Sequence, residues 1–156
     1  MFLNKRFEQA SVAFSRAERE REARICDAYH LRENARVIPT IRVDRKQAFI
    51  TAAKAFISCA LESSSANERL AYYGVAGECY SEARDPKNAG DNYRIAEQYP
   101  AAACAYREGE HFDEMVEVIT QHENAIGRGL VKRLATDAKV HYFKVYFNSC
   151  PATKHA

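Results

Sequence analysis

The stretch that decides the fold runs from Ala76 to Gly127. Cut into thirteens it reads AGECYSEARDPKN (76–88), AGDNYRIAEQYPA (89–101), AACAYREGEHFDE (102–114) and MVEVITQHENAIG (115–127). The first two places are small in three of the four blocks. The fifth place holds Tyr80, Tyr93, Tyr106 and Ile119, and the eighth holds Ala83, Ala96, Gly109 and His122. The ninth is polar throughout, with Arg84, Glu97, Glu110 and Glu123. Thirteen residues suffice for a helix of about ten and a tight turn. Ala89, Tyr93 and Ala96 then lie on one face at i, i+4 and i+7, as do Ala102, Tyr106 and Gly109. Small residues let neighbouring helices approach, and the tyrosine fills the space between them. No such helix buries that face alone, so the units must stack.

Punctuation around the blocks agrees. Asp85-Pro86 reads as an N-cap followed by proline at the first helical position, where a missing N–H costs nothing. Pro100 follows one unit later. Gly109 suits a helix end that needs positive φ. Ser65-Ala66-Asn67-Glu68 reads as a capping box, and Asp44-Arg45-Lys46-Gln47 as a looser one. Extended over the chain, the pattern predicts helices near 7–17, 20–36, 45–62, 67–84, 87–97, 100–108, 111–123 and 128–147. Residues 37–43, with Pro39, form the evident loop. Met1-Phe2-Leu3 reads as the last turn of a helix ended by Asn4, with Phe7 opening its partner. A start inside a repeat leads us to expect a piece of a longer chain, with exposed stack ends open to self-association. One helical-repeat domain over 1–148 is expected, with 149–156 as a frayed tail.

The bulk composition fits this picture. With 156 residues, six Gly and four Pro, the chain can bury a core but has few turn residues for a β architecture. Its apolar runs are too short for a bilayer-spanning helix, so no membrane partner is expected. Met1 to Arg6 lacks the apolar stretch of a secretory leader. Five cysteines, odd in number and without CxxC spacing, read as buried reduced thiols and favour a cytoplasmic or nuclear setting. The charge is divided along the chain. Residues 1–54 hold 12 Lys or Arg against 7 Asp or Glu, residues 55–123 hold 5 against 13, and residues 124–156 hold 6 against 1. The balances of +5, −8 and +5 allow the basic ends to meet an acidic partner, nucleic acid, or the acidic middle of another copy.

Two parts of the sequence look like half of a tetratricopeptide repeat. The first is Phe7-Glu8-Gln9-Ala10 with Ala13, Phe14 and Ala17. The second is Ala102-Ala103, Tyr106 and Gly109-Glu110-His111-Phe112-Asp113-Glu114 with Val116. More closely, MFLNKRFEQA, AYHLRENAR, ERLAYYGVAGECY and FDEMVEVI resemble the helical-repeat region of large fungal proteins carrying a UvrD-like helicase domain. Those are relatives of the tetratricopeptide and ankyrin repeat-containing proteins. The resemblance spans most of residues 1–145. It implies an all-α fold, with antiparallel helix hairpins stacked as a short tetratricopeptide-like α-solenoid. It also implies a scaffold that recruits a protein partner, or an adjacent domain of a parent chain, beside a helicase. Units of thirteen without the usual Trp depart from full tetratricopeptide repeats, which puts a standard peptide-carboxylate clamp in doubt.

The residues offer no catalytic constellation. There is no GxxxxGK[ST] loop, so no ATP-binding lysine; an enzyme is not expected, nor is any cofactor. His111, Glu114 and His122 lack the spacing of a zinc motif and read as polar surface. Cys79 and Cys104 share the third place of their blocks and read as core. Asp113-Glu114 suits the first turn of a helix, where acids favour its dipole. Arg19-Glu20-Arg21-Glu22 reads as a solvated face. The candidate contacts for nucleic acid or an acidic partner are Arg42, Arg45 and Lys46 around the loop, and Arg128, Lys132 and Arg133 further on. Tyr142, Phe143 and Tyr146 follow the second cluster; they are suited to stacking bases, but at helical spacing they read as core. Tyr80, Tyr93, Tyr106, Ala89, Ala96 and Ala102 are the expected repeat core.

Overall fold

The thirteen-residue units become helices of ten residues each in a computed structural model, which describes residues 2–16 and 19–150. The helices are α1 (Phe2–Arg16), α2 (Glu20–Val37), α3 (Val43–Glu62), α4 (Ala66–Glu82), α5 (Pro86–Ile95), α6 (Tyr99–Glu108), α7 (Phe112–Gln121), α8 (Glu123–Ile126) and α9 (Arg128–Ser149). Among the described residues there is no strand, and no helix is long and apolar enough to cross a membrane. From α1 to α7 each helix packs chiefly on its chain neighbours; α8 and α9 then close over α6 and α7. The protein is an all-α stack.

The turns between the short helices are copies of one another. The N–H groups of Asp85, Gln98 and His111 bond the carbonyls of Tyr80, Tyr93 and Tyr106 at 2.9, 2.8 and 2.8 Å. One residue earlier, the N–H groups of Arg84, Glu97 and Glu110 bond Ser81, Arg94 and Arg107 at 2.9, 3.1 and 3.1 Å. Each pair satisfies the orphan carbonyls of a helix end and reverses the chain within two residues. The reversal places the ninth residue of each unit in the left-handed region, with φ of 55°, 59° and 58° at Arg84, Glu97 and Glu110. This accounts for the polar ninth place, which is exposed in all three turns.

A charged L-residue in this conformation costs about 1–2 kcal/mol that glycine avoids, less what glycine's extra freedom costs the folded chain. Glu97→Gly and Glu110→Gly are each expected to raise stability by about 0.5–1 kcal/mol, against no gain for the alanine variants. Denaturant midpoints measure the difference. Gly109 does not have the positive φ its residue type suggested; its φ is −87° and Glu110 takes the turn. Glycine is needed there for space, since a Cβ would lie 2.6 Å from both Pro86 Cγ and His111 Cδ2.

Close approach is the second repeated device. A Cβ on Gly77 would lie 2.7 Å from the Tyr93 ring, and one on Gly90 would lie 2.5 Å from the Tyr106 ring. Each tyrosine therefore fills a notch cut by the second place of the unit before it. In the next pair Ala103 replaces glycine and Ile119 replaces tyrosine, and both are buried in the same core. A smaller filler accompanies the smaller notch. Tyr80, Tyr106, Ala89, Ala96 and Ala102 are buried as expected, and half-buried Tyr93 joins the cores of the two halves.

The first half uses another spine. Phe7 stacks on Tyr29 (5.5 Å between centroids), Tyr29 meets Phe56 edge-on (5.0 Å), and Phe56 stacks on Tyr72 (6.4 Å), linking α1 to α4. The expected helix break at Asn4 is absent, because α1 runs unbroken from Phe2 and the Asn4 amide donates to Asn34 Oδ1 of α2. Met1, Ala17 and residues 151–156 of the expected tail lie outside the described residues. Asp85 caps α5 through Asn88 N (3.2 Å), and Ser65 caps α4 through Glu68 N (3.4 Å). Glu68 completes no capping box; it turns to Ser63 Oγ (2.9 Å) and Arg21. Asp44 is no cap either, since α3 begins at Val43 and its carboxylate pairs with Arg42.

Candidate functional site

The loop after α2 and the first turn of α3 meet the end of α4 around an open cleft of about 510 Å³. Arg42, Arg45, Lys46 and Arg84 line it, opposite Glu82. Arg45 is committed to the fold. Its guanidinium donates to the carbonyls of Ile38 (2.6 Å), Arg36 (3.2 Å) and Ala35 (3.4 Å), and to Glu82 (3.1 Å). It also lies 4.8 Å over the Phe49 ring. Its role is therefore to cap α2 and tie it to α4, not to reach for phosphate. Arg42 grips Asp44 with two bonds of 3.0 and 2.9 Å. Of the three predicted contacts Arg42, Arg45 and Lys46, only Lys46 forms no ion pair with a described residue.

A second open cleft of about 540 Å³ lies between α6 and α9, lined by Cys104, Arg107, Leu130, Lys132, Arg133 and Asp137 among others. Arg107 pairs with Asp137 at 2.6 Å, leaving Lys132 and Arg133 exposed and without ion pairs to described residues. Arg128 is the first residue of α9 and lies outside this lining. The structure thus joins Lys132 with Arg133 in one cleft and keeps them apart from the Arg42 cluster.

Polar side chains strap the short helices together along α5 to α7. Tyr106 Oη donates to Asp91 (2.6 Å), Lys87 pairs with Asp91 (2.9 Å) and Glu114 (3.4 Å), and Arg94 pairs with Glu117 (2.8 Å). Within the solvated run Arg19-Glu20-Arg21-Glu22, Arg21 pairs with Glu68 across to α4, and Arg24 in the next turn pairs with Glu62 of α3. The residues around His111 separate: His122 stacks on Tyr99 at 3.5 Å, and Glu114 is held by Lys87. Among the described residues no three His, Cys, Asp or Glu side chains gather as metal ligands. Cys79 is buried, and burial pushes its thiol up to about 11, away from thiolate chemistry at neutral pH. Cys104 is only half-buried.

Burial raises the phenols of Tyr72, Tyr80, Tyr93 and Tyr106, the last reinforced by its bond to Asp91. The bond from Tyr142 to Asp113 pushes that phenol up to about 12. A proton held more tightly in the folded chain than at the unfolded value near 10 gives stability below that value and withdraws it as pH rises. Urea midpoints should begin to fall near pH 9, where the unfolded cysteine thiols start to ionise, and fall further between about pH 10 and 12, together with phenolate absorbance. A midpoint independent of pH over that window would contradict the assignment.

The expected core aromatics of α9 are exposed: Tyr142 is 40%, Phe143 63% and Tyr146 66% exposed, and Phe147 beyond them is 58% exposed, with Val140 and Val145 also exposed. Periodicity showed an apolar face there but not what covers it. Ile41 and Val43, also unforeseen, are each 92% exposed beside the first cleft.

No protein-family model matches the chain, and comparison with curated proteins and with solved structures likewise finds no match.

Proposed function

We propose that this chain is a non-catalytic helical-repeat scaffold, a short tetratricopeptide-like α-solenoid that holds a protein partner or a neighbouring domain. The observation that carries this reading is the recurrence at thirteen-residue spacing of one turn, after Tyr80, Tyr93 and Tyr106, and of one tyrosine-in-notch contact, at Tyr93 and Tyr106. A stack built in this way gains length and outer surface with each unit. Its clefts are open and lined by long polar side chains, which suits broad contacts more than an enclosed small molecule. The resemblance to the repeat regions of fungal UvrD-like helicase proteins supports a place beside a helicase module in the cytoplasm or nucleus.

Lys132 and Arg133 in the second cleft favour one alternative, nucleic-acid binding through the basic end. Cross-linking in cell extract, with link positions mapped, separates the two. The scaffold reading expects links from partner proteins to the surface of the stack. It fails if no protein links form while single or double strands bind at low salt and are lost when Arg128, Lys132 and Arg133 are neutralised.

A further inference from the structure

Helices inside a stack carry two apolar faces, one for each neighbour, and α9 carries two although only one is covered. Its inner face holds Leu130, Leu134, Ala138 and His141, which pack on the second core and on Phe112. At about 100° per residue, Val140, Phe143 and Phe147 fall on the opposite side, with Tyr146 at its edge. Phe143 and Phe147 already lie against each other, 4.3 Å between centroids. The second face begins where the first runs out of partners, because every residue from Tyr142 to Cys150 is exposed. At 22 residues α9 is more than twice as long as α7, so its last turns overhang the stack.

The charges that α9 itself brings to this face are of one sign. Lys139 and Lys144 flank it, with Lys132 and Arg133 a turn or two before, and the one acid of α9, Asp137, is held by Arg107. Two copies joined through it would bring these lysines together with no free carboxylate of α9 between them. The three rings and Val140 offer roughly 400–500 Å² of surface, about half of what each side of a standard interface supplies. Pairing of this face with itself in a second copy is therefore disfavoured on both counts.

We infer that the outer face of α9, formed by Val140, Phe143, Tyr146 and Phe147, docks an acidic amphipathic helix of another protein or domain. This rests on the scaffold reading and names the chemistry of its partner. The partner's apolar residues at i, i+3 and i+7 cover the rings, and its carboxylates meet Lys139 and Lys144.

The test uses a fluorescein-labelled peptide of about three heptads, with Leu at two places and Glu at four in each; the glutamates keep it from pairing with itself. The whole chain is expected to bind it with Kd on the order of 10 μM. Phe143→Ser with Phe147→Ser, both on the surface, should weaken binding at least tenfold with the helical circular dichroism unchanged. Lys139→Glu with Lys144→Glu should do the same and transfer preference to a peptide carrying Lys in place of Glu. The inference is overturned if the serine variant binds as well as the natural chain, if neither peptide binds, or if the lysine peptide binds the natural chain equally. Sedimentation as a dimer that the serine variant abolishes would assign the face to a second copy instead. Partner proteins cross-linked elsewhere on the stack, unaffected by the serine variant, would sink this face and leave the scaffold reading standing.

Discussion

Tyr106→Ala is expected to destabilise the chain by about 3–5 kcal/mol, a large part of the 5–15 kcal/mol typical of a domain. The ring is fully buried and sits in the notch of Gly90, so its removal leaves a cavity between α5 and α6. Its hydroxyl donates to Asp91, which Lys87 and, through it, Glu114 tie to α7. Loss of the ring removes the wedge between α5 and α6 and one anchor of the strap to α7. In a stack whose units lean chiefly on their neighbours, damage at one joint spreads to the helices packed beside it. Thermal unfolding should therefore broaden as well as shift, with α7 to α9 melting before α2 to α4. Tyr106→Phe keeps the wedge and loses the bond to a charged acceptor, a cost of about 1.5–3 kcal/mol with sharp melting retained. An alanine variant as stable as the phenylalanine variant would show that the ring fills no essential space.

Arg45→Met is expected to cost about 2–3 kcal/mol although the residue lies at the rim of a cleft. Its side chain is only 16% exposed. It satisfies three carbonyls at the end of α2, which has no other described side-chain cap, and it pairs with Glu82 across to α4. Methionine matches the stem over Phe49 but leaves those carbonyls to water, so the loss isolates the polar role. Arg45→Lys should recover half or less, because an ammonium cannot span the carbonyls and the carboxylate as a planar fork does. Faster amide exchange across residues 36–43 in both variants would accompany the loss. Exchange unchanged in that loop would mean that Pro39 and the α3 start hold it without help.

Much of this architecture could be read from residue types. The thirteen-residue period placed α5 to α7 within about two residues, since small places, tyrosines and Asp85-Pro86 all serve local geometry. The turns were legible as polar places but not as left-handed ones. Gly109 drew the assignment because glycine is the usual choice, whereas the hydrogen-bond register puts Glu110 at the strained position. Asn4 looked like a stop because asparagine is a poor helix former, and its partner Asn34 is thirty residues away. The basic clusters were visible as charge, but only the fold shows that Arg45 is spent on carbonyls while Lys132 and Arg133 stay free of ion pairs to described residues. The outer face of α9 escaped for a related reason: spacing shows that a face is apolar, and only the neighbours show whether it is covered.

A double-mutant cycle between Gly90 and Tyr106 tests the central claim most directly. Gly90→Ala should gain about 1 kcal/mol of helix propensity and lose about 2–3 kcal/mol to the ring, for a net loss of about 1–2 kcal/mol. With Tyr106→Leu in place, a smaller filler like Ile119 beside Ala103, the same alanine should become neutral or stabilising, a coupling of at least about 1 kcal/mol. Additive effects, with alanine equally harmful beside leucine, would show that the notch and the tyrosine do not make the joint on which this stack is built.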